Sequence, residues 1–398
     1  MPANRLFSFA AVLFATTSLF VAGCGGGDDG DKDWQGETIK IGSIFSTTGD
    51  GAAFGPQQLK GAELAVEDIN NEDDGINGAK LELVQRDDNG QPPIAMGRMI
   101  EMIKKERVLA VLGPTFSNAS TEAHPLAESS KMPVLAVSNT APGIVGDCAY
   151  PCSTIFRDSL GEAAAIPANI QTFLDGSDQT EGAVVMYPRE DPFGESSADT
   201  AVAAFDARII ETKKLVYPGG MDLALDWDPD VIMITASSGE TLVQIVKDLR
   251  GNGFAGKILA GNAANSLATA EALGPDGKGL QSATAWYAGN DSEENQEFIA
   301  DYKQKYGEEP DQFAAQAYTG VELLAEAIDD ADLTLDNVDF ENLTADREAI
   351  VRSLESVNEE TPLGDFSFTD DHDVNQPIWI VEMNGKGSFD LVKELPPE

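Results

Sequence analysis

Hydrophobic positions along the chain fall into two periods that alternate. Thr38–Phe45 (TIKIGSIF) interleaves apolar and polar residues and then turns apolar, as a strand entering a core does. Over 58–70, Leu59, Ala62, Ala65, Val66 and Ile69 recur at helical spacing and predict an amphipathic helix. The pattern repeats as a strand over 80–86, a helix over 94–106 and an apolar strand over 108–112. That strand runs into Gly113-Pro114-Thr115-Phe116-Ser117-Asn118, ahead of a helix expected to begin near Ser120. A further strand over 133–137 stops abruptly at Ser138-Asn139-Thr140.

A second series follows. Strands are predicted over 182–187, 231–235 and Lys257–Ala260, with a loop over 188–194, a helix to about Ala207 and another through Leu249. Strands alternating with helices predict α/β architecture: two doubly wound lobes, each a parallel sheet with helices on both faces. Sheets of this kind bind ligands outside the carboxyl ends of their strands. Collected there are 45–54, 115–118, 138–140, 187–193, 236–238 and 261–262, segments rich in hydroxyls, amides, glycine and Phe. Such groups hydrogen-bond a small ligand and cover it. No strand-end Ser, Cys or carboxylate has a recognisable His partner, so no enzyme is expected.

Composition narrows the partners. The chain has 398 residues, which suits two domains of ordinary size, and 42% of them are hydrophobic. Its 68 acidic and 26 basic residues leave a formal net charge of −42, which excludes nucleic acid and points to a solvated acidic surface. No glycine-rich phosphate loop follows a strand, so no nucleotide cofactor is expected. No metal is expected either: the only histidines are His124 and His372, and the acidic run over 329–342 lacks the Gly and terminal Glu of a calcium loop.

The amino terminus reads as a processing signal. Arg5 precedes an apolar stretch over 6–21, which ends in Val21-Ala22-Gly23-Cys24 and is followed by Gly and Asp residues. Small residues directly before a Cys resemble the lipobox of bacterial lipoproteins. The expectation is a signal peptide over 1–23, a lipidated Cys24, a tether over 24–36, and an exported protein held at a membrane, in the periplasm or on the cell surface. Each buried acyl methylene contributes about 0.8 kcal/mol to such anchoring. Cys148 and Cys152 remain, and in an exported chain they are expected to form a disulfide.

In combination, GSIFSTTGDGAAFGPQQLKGAELAVEDINNEDDGINGAKLELVQRDD, LGPTFSNAS, PVLAVSNTAP, YPREDPFGESS and DQFAAQAYTGVELLAEAI resemble the branched-chain amino acid substrate-binding proteins of ABC transporters. The resemblance runs from about Thr38 to the carboxyl terminus. It implies a type I periplasmic-binding fold, two lobes joined by three crossing segments that close on a ligand. Ser117, Thr140 and backbone groups near Ser138 and Asn139 would hold a ligand carboxylate. Phe54, Phe193 and Phe313 would approach the ligand, with Tyr318 on a segment crossing back toward the cleft. Lobe one is expected over 37–158 and 286–364, and lobe two over 159–285 and 365–398.

Two positions depart from the family pattern. Asn262 stands where amino-acid-binding relatives commonly present an acid to the ligand ammonium, and Ser237 stands where some carry an aromatic. An amide cannot neutralise a buried ammonium. Either another carboxylate compensates, with Asp191 and Glu240 as candidates, or the ligand is not a classical amino acid. The function implied is that of a monomer capturing an amino acid, amide or small carboxylate and delivering it to an ABC permease. A sensor of the same fold, acting with a signalling partner, is the alternative.

Overall fold

The computed structural model describes residues 38–72, 75–177 and 180–397. The expected signal peptide, the lipidated Cys24 and the tether lie outside them.

The first sheet is parallel throughout. Strands β1 (Thr38–Phe45), β2 (Lys80–Asp87), β3 (Val111–Leu112), β4 (Val134–Ala136) and β5 (Ile155–Arg157) are arranged in the order β2-β1-β3-β4-β5. Because side chains alternate across a strand, both faces carry a core. In β4, Leu135 packs on one face with Ile39 and Ile41, while Val134 and Ala136 pack on the other with Ile44 and Val111. Burying each such aliphatic side chain stabilises the fold by about 1.5–3 kcal/mol.

The second sheet contains β6 (Gly182–Pro188), β7 (Glu211–Tyr217), β8 (Val231–Ile234), β9 (Lys257–Ala260) and β10 (Gln281–Thr284). Three strands, β11 (Asn358–Thr361), β12 (Gly364–Phe368) and β13 (Val374–Asn375), form a small antiparallel sheet. The last two, β14 (Ile378–Met383) and β15 (Phe389–Leu395), return to the second sheet, giving the order β15-β14-β10-β9-β8-β6-β7. β14 is antiparallel to β10 and to β15, so the sheet is not wholly parallel as the periodicity predicts.

The boundary expected between 364 and 365 needs correction, because it falls at the first residues of β12. Phe366 is part of the first lobe's core, with Phe368 and Val374 packed against it, and the chain joins the second sheet only at Ile378. The small sheet therefore belongs with lobe one.

Three segments connect the lobes, near 157–161, 284–287 and 373–377, and they are tied together. The Arg157 guanidinium forms a two-pronged ion pair with Asp373, the His372 and Phe156 rings stack at 4.0 Å, and Gln376 Nε2–H donates to the Ala285 carbonyl at 2.7 Å. Arg157 also donates to the carbonyls of Asn139, at 3.3 Å, and Ala141, at 3.0 Å. One buried cation thus fixes a hinge strand and the loop after β4 in a single arrangement. Cys148 and Cys152 are disulfide-bonded just ahead of β5.

Across lobe one, helix Gly55–Glu72 lies against helix Gln312–Asp330. A Cβ on Gly61 would stand 2.0 Å from the Ala314 carbonyl oxygen, so only glycine permits this approach.

Candidate functional site

The carboxyl ends of both sheets face a common cavity of about 100 Å³. Phe54, Ser117, Ser138 and Thr140 line it from the first lobe, Phe193, Ser237 and Asn262 from the second, and Phe313 from the start of helix Gln312–Asp330.

The first-lobe wall is a hydrogen-bonded frame with two groups left over. Thr115 Oγ1 donates to Gln58 Oε1 at 2.6 Å, and Gln58 Nε2–H donates to Ser138 Oγ at 2.8 Å. Ser138 Oγ donates in turn to the Thr115 carbonyl at 2.7 Å, so its hydroxyl is committed to the frame. Thr140 Oγ1 is buried and has no partner, a costly state unless a ligand supplies one. The second group is the start of helix Ser117–Ser129, three residues earlier than the sequence predicts. Its N-cap is Phe116, which has no side chain able to cap, and Ser117 and Asn118 border the cavity. An uncapped helix amino terminus offers free backbone N–H groups and a partial positive charge to an anion.

Asn139 sits differently from the expectation. Its side-chain amide donates to the carbonyls of Pro114, at 2.9 Å, and Thr115, at 3.2 Å, and braces the loop instead of lining the cavity. Tyr318 likewise packs in lobe one's core, with its hydroxyl on Asp68, and does not reach the cavity.

The second-lobe wall uses up its polar groups internally. Asp191 caps helix Pro192–Asp206 through Gly194 N–H at 2.9 Å, and its other oxygen accepts from Ser237 N–H at 2.8 Å and Ser237 Oγ at 2.9 Å. Ser238 caps helix Gly239–Gly251. Of the two expected substitutes, Asp191 borders the cavity with both carboxylate oxygens hydrogen-bonded to neutral donors of its own lobe, and Glu240 is exposed outside it.

Aromatic rings close the site. Phe54 lies 4.6 Å from Phe313 and 6.0 Å from Phe116 between ring centroids, and both Phe54 and Phe313 pack with the second lobe's core. Phe54 thereby reaches across the cleft, and Ser266 Oγ donates to the neighbouring Ala53 carbonyl at 2.8 Å.

A family model described as periplasmic binding protein matches residues 38–388. The chain belongs to the periplasmic binding protein family. Family and fold are those of non-enzymatic substrate-binding proteins. It is 26% identical over 359 residues to the leucine-, isoleucine-, valine-, threonine- and alanine-binding protein of Pseudomonas aeruginosa, covering 85% of this chain and 87% of that one. It is also 26% identical to BasB, a substrate-binding protein of a chemotactic signal transduction system in Halobacterium salinarum, over 59% of this chain and 58% of BasB. The crystal structure of a leucine-binding protein from Thermotoga maritima superposes with a TM-score of 0.79 at 23% identity, covering 90% of this chain and 99% of that one.

In this periplasmic binding protein the orientation of Asn262 follows from its surroundings. The Ala285 backbone N–H donates to Gln312 Oε1 at 2.9 Å, which fixes the Gln312 amide. Gln312 Nε2–H then donates to Asn262 Oδ1 at 2.7 Å. The oxygen of Asn262 is occupied, and what it can offer a ligand is its NH₂ group, a donor. An ammonium finds no acceptor there.

Sequence reasoning missed Gln58 and Gln312, which set the frame and the Asn262 amide, and gave no separate role to Phe116, within the collected 115–118, which forms the aromatic floor. Gln312 does precede Phe313 in the quoted helix. Its role depends on partners at 262, 284 and 285, which no local pattern displays.

Proposed function

We propose that this protein is an extracytoplasmic solute-binding protein, lipid-anchored through Cys24, which captures a small carboxylate-bearing ligand of the amino acid class and delivers it to an ABC permease. The observation carrying the reading is the pairing, on one wall, of the uncapped helix terminus at Ser117 with the unpartnered hydroxyl of Thr140. Together they form a neutral anion site: hydroxyl and amide donors plus a helix dipole hold a carboxylate without a buried counter-cation. Phe54, Phe116, Phe193 and Phe313 then suit an apolar ligand body. Closure is a hinge motion in which ligand contacts from both walls favour the closed state.

A thermal-shift screen of amino acids, short amides and small carboxylates tests this. A ligand at 100 times its Kd adds about 2.7 kcal/mol of stability. Failure of every carboxylate to raise the melting temperature overturns the assignment. Cys24→Ser releases the protein from the membrane fraction, and its retention there refutes the anchor.

A second reading, ligand sensing with a signalling partner, is supported by the similarity to BasB. Loss of ligand uptake in a strain lacking the protein favours transport; intact uptake with a lost behavioural response favours sensing.

A further inference from the structure

Behind the ligand cavity lies a much smaller one, about 10 Å³, which shares Thr140 and Asn262 with it and is lined in addition by Glu162 and Gly261. Thr140 and Asn262 thus stand between the ligand cavity and the space that Glu162 lines. Glu162 is 2% exposed and opens helix Glu162–Asp175. Its backbone N–H donates to the Thr140 carbonyl at 2.8 Å, so carboxyl and Thr140 are held in register. Ser197 Oγ donates to one carboxyl oxygen, while the other stands 3.7 Å from where a Cβ on Gly261 would be. A carboxyl group therefore abuts the strand end on which Asn262 stands, reaching it from a different helix.

Among the described residues no cation forms an ion pair with this group. Arg157, whose charge acts on it, is held by Asp373, and Asp191 adds like charge. Burial, reinforced by Asp191 and only partly offset by the Ser197 hydrogen bond and Arg157, raises the carboxyl to about 8. A buried acid beside the ligand cavity, lacking its own cation, is placed to receive one.

We propose that Glu162 is the acceptor for the ligand's ammonium group, supplying from beside Thr140 and Asn262 the countercharge that the Asn262 amide cannot. This rests on the reading that the ligand's carboxylate sits at Ser117 and Thr140. The carboxylate holds the ligand on the first lobe, and the ammonium points past Thr140 toward the helix of the second. Binding an ammonium there requires an ionised Glu162, so a proton leaves as the ligand enters.

The test is calorimetry on the full chain in detergent with two probes, L-leucine and 4-methylpentanoate, which is leucine without its amino group. The wild type binds leucine at least roughly tenfold more tightly. Repeating the titration in neutral buffers of different ionisation enthalpy shows proton release with leucine and none with 4-methylpentanoate. Glu162→Gln loses the leucine preference and the proton release while binding 4-methylpentanoate unchanged. Adding Asn262→Glu, which places a carboxylate at the position relatives commonly use, restores the preference. Equal affinity of the wild type for both probes overturns the proposal, as does leucine binding without proton release. An equal loss of both probes in Glu162→Gln overturns it too, because the role is then structural. In these cases 4-methylpentanoate binding that still depends on Thr140 leaves the carboxylate site intact. Failure of the wild type to bind either probe overturns the carboxylate site itself.

Discussion

The two walls of the cleft carry similar residues and do opposite things with them. On the first wall a helix begins at Ser117 with no side-chain cap, and the Thr140 hydroxyl is buried without a partner. On the second, Asp191 and Ser238 cap their helices, and Ser237 spends its hydroxyl on Asp191. An unmet hydrogen-bonding group that borders the cavity is one a ligand can satisfy, recovering the free energy that its burial costs. The donors left without a protein partner therefore lie on the first wall, while those of the second are engaged with one another. Charge composition does not separate them; the accounting of donors and acceptors does.

The largest way to break this contrast is Phe54→Ala. Phe54 rises from the first wall and packs with the second lobe's core, so its loss leaves a cavity under both. It is expected to lower stability by about 3–5 kcal/mol, read by urea denaturation. A loss under about 1 kcal/mol, below the usual range for a buried Phe, would show that the ring does not join the two lobes.

Next comes pH. Asp311 caps helix Gln312–Asp330, the helix that orients Asn262 on the second wall, and burial lifts its carboxyl from 3.8 to about 7; Glu322 is raised by burial to about 8. Both folded values lie above the unfolded ones, so the folded state binds more protons between them. Stability is then full near pH 4 and falls as pH rises toward 8, by on the order of a few kcal/mol. Ligand-free melting curves check this. In Asp311→Asn the decline between pH 4 and 7 becomes shallower, and an unchanged slope rejects the assignment.

Thr140→Val tests the first wall alone. Removing a hydrogen bond to a charged group costs about 1.5–3 kcal/mol, so carboxylate affinity is expected to fall roughly 10- to 100-fold in calorimetry. Ligand-free stability should hold, since the hydroxyl has no partner to lose. Smallest is Asp191→Ala on the second wall, where loss of the cap costs about 1 kcal/mol of stability. Its effect on affinity should be weaker than that of Thr140→Val. The reverse order would move the carboxylate contact to the second wall.

Most strands that frame the cleft are legible in the sequence because apolar periodicity is a local property. β1 and β9 have the boundaries that their patterns predict, and 133–137 brackets β4. β10 was not legible, since Gln281–Thr284 reads QSAT and its burial comes from β9 and β14 on either side. β14 joins the second sheet by pairing with β10 more than ninety residues away, beyond any local window, and brings β15 with it as a hairpin.

The candidate site divides in the same way. That polar turns follow apolar strands, that Phe residues lie near them, and that Asn262 breaks the family's acidic pattern are all properties of the residue order. The sequence by itself determined the fold class and which segments meet at the cleft, because strand ends in such sheets share one edge. Only the tertiary structure decided which polar groups there are spent. It turned Asn139 into a brace, engaged both oxygens of Asp191, pointed the Asn262 amide through Gln312 and left Thr140 open. Hydrogen-bond satisfaction is settled by partners that folding brings together from distant parts of the chain, and a linear sequence carries no direct record of which pairs will meet.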